Sequence, residues 1–304
     1  MRNSFSETLY ECAKADPKIF VIVADISPAG PMAKFQAEYP ERFINVGVAE
    51  QAMIGISAGL ALKGCRPFAY TIATFSLYRP FEMVRNDLGY QNLPVTIVGM
   101  GAGLIYSGLG GTHQSMEDIA IAGAIPNMQI IAPCDPLECI DATWHCATQT
   151  KGPVYLRIGK AGEPKLTENA LEPFVYGKLR YLRRGTDVCI MSYGVITKLA
   201  VSVADRLQAA GKSVSVVSCH TVKPLDRSGI EQALHSHKQV IVIEEHVPQG
   251  GLAPQTKQIA WDIGAKCALH TFTLQDEFIR NYGSHDELLA AHSLSLDRIM
   301  ATIS

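Results

Sequence analysis

The chain has no Cys-x-x-Cys pair: its eight cysteines, at 12, 65, 134, 139, 146, 189, 219 and 267, are scattered through mostly apolar segments. That spacing excludes a zinc site or redox dithiol built on paired thiols, and the cysteines read as reduced core residues. Cys219-His220 and His145-Cys146 are neighbours in the chain. A nucleophile and its base must meet in space, however, and adjacent residues on a strand or helix point apart. Charge of one sign is scarce. The net charge is -2, and no run of Lys and Arg interleaves with aromatics, which excludes a nucleic-acid surface. Any bound anion must be held locally. No apolar stretch approaches membrane-spanning length, and Met1-Arg2-Asn3-Ser4-Phe5 lacks the charged, apolar and small-residue order of a signal peptide. A cytoplasmic protein with no membrane contact is expected. Nucleotide loops are missing too. Gly-x-x-x-x-Gly-Lys-Ser/Thr is absent, and Gly99-Met100-Gly101 needs a third glycine at 104, where Leu104 stands, so the dinucleotide fingerprint is broken.

What is present is a chain of 304 residues, 47% hydrophobic and 18% charged, long enough for two domains with their own cores. Apolar runs of strand length at 19–24, 67–70, 95–99, 129–132 and 154–157 alternate with helical patterns. That alternation predicts a parallel sheet covered by helices on both faces. Ser4-x-x-Glu7 reads as a capping box for the first helix, and Asp135-Pro136-Leu137-Glu138 supplies an N-cap, a proline at the first helical position and an acid in the first turn. Between Gly159 and Gly177 the periodicity disappears, which reads as an exposed connection. Strands at 188–192, 214–218, 240–244 and 268–273 then alternate with helices near 198–210, 226–235 and 252–262. The expected class is α/β with two doubly wound domains, a larger one over 1–160 and a smaller one over 181–304, joined by a linker over 161–180. No internal repeat or coiled-coil heptad is visible.

Four residues carry candidate chemistry. In Asn45-Val46-Gly47-Val48-Ala49-Glu50-Gln51, Glu50 stands where a short strand hands over to a helix that is apolar nearly all round and rich in Gly and Ala. Such a helix is expected to be buried against another backbone. A buried carboxylate needs a partner, and a ring nitrogen of a ligand is one candidate; an acid there also complements the helix dipole, worth about 0.3–1 kcal/mol. His113 follows a glycine-rich loop, ahead of a helix expected near Ser115, and can hydrogen-bond a substrate oxygen, move a proton or simply cap a turn. Arg157 ends a strand on the edge where doubly wound sheets present ligands. Its guanidinium suits a phosphate or a surface ion pair. Phe75, in Ala73-Thr74-Phe75-Ser76-Leu77-Tyr78-Arg79-Pro80-Phe81, can stack on a flat heterocycle or pack in the core.

Together these motifs resemble the transketolase family of thiamine diphosphate enzymes, specifically a pyrimidine-binding domain followed by a C-terminal domain. The resemblance rests on 43–51, on the segment around Phe75, on Gly111-Thr112-His113-Gln114 and on Gly152-Pro153-Val154-Tyr155-Leu156-Arg157. Leu182-Arg183-Arg184-Gly185 and Val222-Lys223-Pro224-Leu225-Asp226 extend it through the second domain. It implies that Glu50 hydrogen-bonds the aminopyrimidine nitrogen and promotes the imino tautomer that deprotonates the thiazolium carbon. Phe75 would stack on the pyrimidine, with Arg79 also in contact with the cofactor. His113 would contact the donor hydroxyl and the oxyanion, and Arg157 and Arg2 would hold a sugar-phosphate terminus.

Gly-Asp-Gly, which in the family helps hold the metal, occurs nowhere in the chain. The resemblance therefore implies half an enzyme. An N-terminal transketolase-like subunit would hold the diphosphate and Mg²⁺, and the pair would assemble as α2β2 with this chain as the β-like subunit. Leu109 replaces the family's aspartate, and Ala29 stands where a phosphate-contacting serine is common, which points to a different or less hydroxylated sugar, or to an activated aldehyde donor from decarboxylation. The leading expectation is transfer of a two-carbon ketol unit between phosphorylated or modified sugars. The alternatives are a deoxyxylulose-phosphate-synthase-like or 2-oxoacid dehydrogenase β-like subunit acting on pyruvate, and a non-catalytic assembly subunit.

Overall fold

The computed structural model describes residues 1–28 and 30–303, so Ala29 lies outside the described residues. In chain order the strands are β1 (Ile19–Val23), β2 (Phe43–Asn45), β3 (Arg66–Ile72), β4 (Thr96–Met100), β5 (Gln129–Ile131), β6 (Val154–Ile158), β7 (Arg180–Arg183), β8 (Val188–Ser192), β9 (Val214–Ser218), β10 (Thr221–Lys223), β11 (Gln239–Ile243) and β12 (Ala268–Phe272). They form two sheets, ordered β10-β5-β6-β4-β3-β1-β2 and β12-β11-β8-β9-β7. Every neighbouring pair is parallel except β10 on β5 and β7 on β9.

β4 and β6 are buried along their whole length, as strands between two helical layers must be. Their side chains alternate between the layers. Ile97 joins a core with Ile22, Ala69 and Tyr155, while Val98 joins another with Val21, Phe68 and Leu156. The first of these cores continues into the second sheet through Met191, Val217 and Val242.

One local expectation is corrected. The first helix runs Arg2–Ala15 with Met1 as N-cap and no side-chain cap, so Ser4 lies inside the helix and caps nothing. The connection over 159–177 lacks regular structure and is largely exposed, as expected, with a few side chains anchored: Phe174 stacks on His220 and Tyr176 on His145, each at 4.2 Å. Thr167 donates through N and Oγ1 to Asp135 Oδ2 at 2.6 and 2.8 Å. β10, which is not among the expected strands, leaves the second half of the chain to pair antiparallel with β5 of the first sheet. The Asp135 cap is as expected, with Oδ1 accepting from Glu138 N at 2.7 Å.

A polar joint ties the halves together. Glu245, buried just past β11, accepts from Leu104 N at 2.6 Å and from His285 Nε2 at 2.8 Å. Gly103 is required beside it. Its φ is +72°, and a Cβ there would stand 2.5 Å from Glu245 Oε1. Burial works against the charge on His285, but Glu245 outweighs it and raises the imidazole pKa above the ordinary value. Burial likewise opposes the Glu245 charge, and His285 and then Arg157 outweigh it, lowering that pKa. The stabilisation from His285 is thus full below the ordinary histidine value of about 6.5 and is lost as pH rises through its folded value. That from Glu245 is full above the ordinary carboxyl range and is lost as pH falls through its folded value. Urea unfolding across a pH series should give a plateau between these limits, and His285→Gln should flatten the alkaline arm. An unchanged alkaline arm would remove the pair from the joint.

Candidate active site

Parallel strands all point their carboxyl ends to one edge of the first sheet, where such folds gather ligands. Glu50 follows β2, Phe75 and Arg79 follow β3, His113 follows β4, and Lys160 follows β6.

Glu50 is the first residue of the helix Glu50–Leu62 and is 3% exposed. The partner its burial demands is Arg79, whose Nη1 donates to Oε2 at 2.8 Å. Arg79 itself is half-exposed. It lies four residues after Phe75, just beyond the short helix Ala73–Leu77. Phe75 meets His113 edge-on, with ring centroids 5.1 Å apart and planes at 71°. His113 occupies a single 3-10 turn, Gly111–His113, and its Nδ1 lies 2.9 Å from Thr112 Oγ1. Two bonds fix the loop: Thr74 Oγ1 donates to Thr112 O at 3.1 Å, and Gly103 N donates to Ser115 Oγ at 2.9 Å. The helix expected near Ser115 starts at Asp118, because Ser115 is committed to a bridge with Gly103.

Arg157 is not presented to a ligand. It sits inside β6, in register with Gly99, and is 4% exposed. Its Nε donates to Asp118 Oδ2 at 2.9 Å and its Nη2 to Glu245 O at 3.2 Å. Burial disfavours its charge, but Asp118, with Tyr193, Glu245 and Tyr155, overcomes this and raises the guanidinium pKa. A phosphate would have to displace a buried carboxylate to reach it. An exposed cation near the His113 loop is Lys160, three residues on. Its Nζ lies over the Tyr106 ring at 5.1 Å. Tyr106 in turn meets His113 at 6.2 Å. Arg2 belongs to the same group. Its N–H donates to Lys160 O at 3.0 Å, and its charge acts on the Tyr106 phenol against the burial that raises the phenol's pKa.

Sequence reasoning missed Tyr106 and Lys160, although Lys160 carried a signal: ligands sit beyond a strand's end, and Arg157 lies within the strand. Gln114 entered only within the Gly111–Gln114 motif, with no role of its own. It is 1% exposed, and neither amide atom has a partner among the described residues. An unsatisfied buried polar group costs about 1–3 kcal/mol.

A family model described as the transketolase pyrimidine-binding domain matches residues 1–163, and one described as the transketolase C-terminal domain matches 177–299. The chain belongs to the transketolase family. It is 36% identical over 304 residues to a putative transketolase C-terminal section of Methanocaldococcus jannaschii, covering 100% of this chain and 95% of that one. It is also 36% identical over 251 residues to one of the subunits of an apulose-4-phosphate transketolase of Phocaeicola vulgatus, covering 83% and 80%. Among solved structures, a split-gene transketolase described as an inactive β4 tetramer superposes with a TM-score of 0.85 at 31% identity, covering 99% of this chain and 96% of that one. This member of the transketolase family therefore matches relatives that are themselves sections or subunits of a divided enzyme. Among its described residues no helix is long and apolar enough to cross a membrane.

Proposed function

We propose that this chain is the C-terminal, β-like subunit of a cytoplasmic split transketolase, dependent on thiamine diphosphate and moving a two-carbon ketol unit between phosphorylated sugars. The observation that carries this is the grouping, on one sheet edge, of a buried carboxylate at a helix start with the Phe75–His113 pair. That set fits a flat, nitrogen-bearing ring. When bound, thiamine diphosphate supplies the carbon nucleophile for the ketose carbonyl. Glu50 shares a proton with a ring nitrogen, Phe75 offers an aromatic surface, and Arg79 fixes the carboxylate. His113, with Nδ1 engaged by Thr112, offers Nε2 to a substrate oxygen. Arg2 and Lys160, flanking Tyr106, take the sugar phosphate in place of Arg157. Mg²⁺ and the diphosphate are assigned to the N-terminal subunit because this chain, matched by the pyrimidine-binding and C-terminal family models, carries no Gly-Asp-Gly.

A partner also fits the outer face of the helix Glu50–Leu62. One side packs in the core, but Ile56 and Leu62 are 38% and 62% exposed. A Cβ on Gly55 or Gly59 would meet nothing within 4 Å. The all-round apolar pattern thus awaits a second backbone, as an α2β2 assembly would supply. Gly55→Leu and Gly59→Leu should each stabilise the isolated chain by about 0.5–1 kcal/mol through helix propensity and abolish assembly. Urea midpoints and sedimentation velocity read the two effects; intact assembly would place the partner elsewhere.

The reaction is tested by mixing the chain with its N-terminal counterpart, thiamine diphosphate and Mg²⁺. A ketose phosphate plus an aldose acceptor should yield a ketol-transfer product without carbon dioxide. Carbon dioxide release from pyruvate, with no ketol transfer, would replace this reading by the 2-oxoacid one.

A further inference from the structure

The loop carrying His113 is held from two sides, and the second side is the other half of the chain. Thr74 bonds it from the first sheet's edge. Opposite, the irregular segment before the helix His285–Ala291 lays two aromatic rings on the loop's glycines. A Cβ on Gly110 would stand 3.2 Å from the Tyr282 ring, and one on Gly111 would stand 3.9 Å from Phe278. Gly110 also has φ +78°, so it is glycine for two reasons. Both rings are largely open to solvent, Phe278 at 66% and Tyr282 at 72%, and Leu109, next to Gly110 in the chain, is 51% exposed. Three large apolar side chains thus stand uncovered at the loop that carries the candidate catalytic imidazole, two against its glycines and one within it.

We infer that Phe278 and Tyr282, with Leu109, form a subsite for the part of the sugar remote from the reacting carbonyl, so that the second domain sets substrate specificity. The occupant is a sugar whose face toward the rings is rich in C–H and poor in hydroxyls, a deoxy sugar. Aromatic faces accept C–H groups, and Leu109 offers no acceptor for a hydroxyl. This rests on the transketolase reading above and names the substrate face that the reading leaves open.

The test uses the reconstituted complex with wild type, Tyr282→Ala, Tyr282→Phe and Phe278→Ala. A deoxy-aldose acceptor and its parent aldose are compared. Removing either ring should raise KM for the deoxy acceptor about tenfold and leave kcat within about twofold, the mark of lost uniform binding. Tyr282→Phe should behave as wild type. Saturation-transfer NMR of the acceptor on the complex gives a readout without turnover: its C–H protons should lose signal in both alanine variants. Unchanged KM and NMR signal would overturn the inference. So would weakened assembly at unchanged KM, which would make the rings a subunit contact, or a joint fall of kcat and melting temperature for every substrate, which would make them a structural clamp. If wild type itself transfers no ketol unit, the transketolase reading fails, and the NMR arm still decides whether a sugar lies against the rings.

Discussion

Glu50→Gln in the assembled enzyme should lower kcat by about 10²–10⁴-fold, the range a positioned acid or base contributes, with assembly unchanged. Gln keeps the size of Glu and retains a carbonyl oxygen that can accept from Arg79. What it loses is the negative charge and the ability to take up and return a proton. The ion pair is a poor source of stability because Arg79 is half-exposed, so a loss of turnover cannot be ascribed to unfolding of the helix start. Steady-state rates beside size-exclusion profiles separate the outcomes. Full activity in the variant would favour the assembly-subunit alternative, in which the carboxylate only complements the helix dipole. Arg79→Met gives the companion result. It leaves Glu50 buried without its cation, and activity should fall less than in Glu50→Gln because the carboxylate itself remains.

How much of this was legible without coordinates follows the range of the interactions involved. Strands made of short apolar runs sit within a residue or two of their expected places, and the helix Leu252–Asp262 spans the expected residues, because local periodicity and turn residues decide them. Glu50 and Phe75 come within a few residues of a strand's end and His113 lies in the glycine-rich loop after β4, so chain order alone carries the three to one sheet edge. Long-range contacts were not legible. Nothing local says that three residues, Thr221–Lys223, will join the first sheet, or that Phe174 and Tyr176 will stack on distant histidines. Ser4-x-x-Glu7 matched a capping pattern that the helix overran, since Arg2 N could pair with Lys160 O and the helix could start earlier. Arg157 illustrates the limit most clearly. Its residue type suits a phosphate, yet its partner, Asp118, is 39 positions away and only the fold brings them together. The glycine and leucine surface of the helix Glu50–Leu62 is the converse case. The pattern foretold burial on all sides, and one side is still open in the single chain.

Arg157→Met should cost about 3–5 kcal/mol of folding stability, the price of stranding a buried charge. The charge is Asp118, fully buried, whose Oδ2 accepts from both Arg157 Nε at 2.9 Å and Tyr155 Oη at 2.8 Å, while Oδ1 accepts from Ile119 N at 3.0 Å. Without the guanidinium the carboxylate keeps only neutral donors in a dry setting and must be protonated or distort its surroundings. Arg157 also bonds Glu245 O, so the joint between the two halves weakens at the same time. Asp118→Asn should be costly too, and the double variant should cost less than the sum of the singles, the signature of a coupled pair. Urea unfolding supplies all the values. Kinetics supply the contrast that decides which cation serves the substrate. Lys160→Ala, at an exposed position, should leave stability within about 0.5 kcal/mol and raise KM for phosphorylated sugars but not for their unphosphorylated counterparts. If Arg157→Met instead folded normally and selectively lost the phosphorylated substrate, Arg157 would be the phosphate ligand, and the buried pair with Asp118 would have to open when substrate binds.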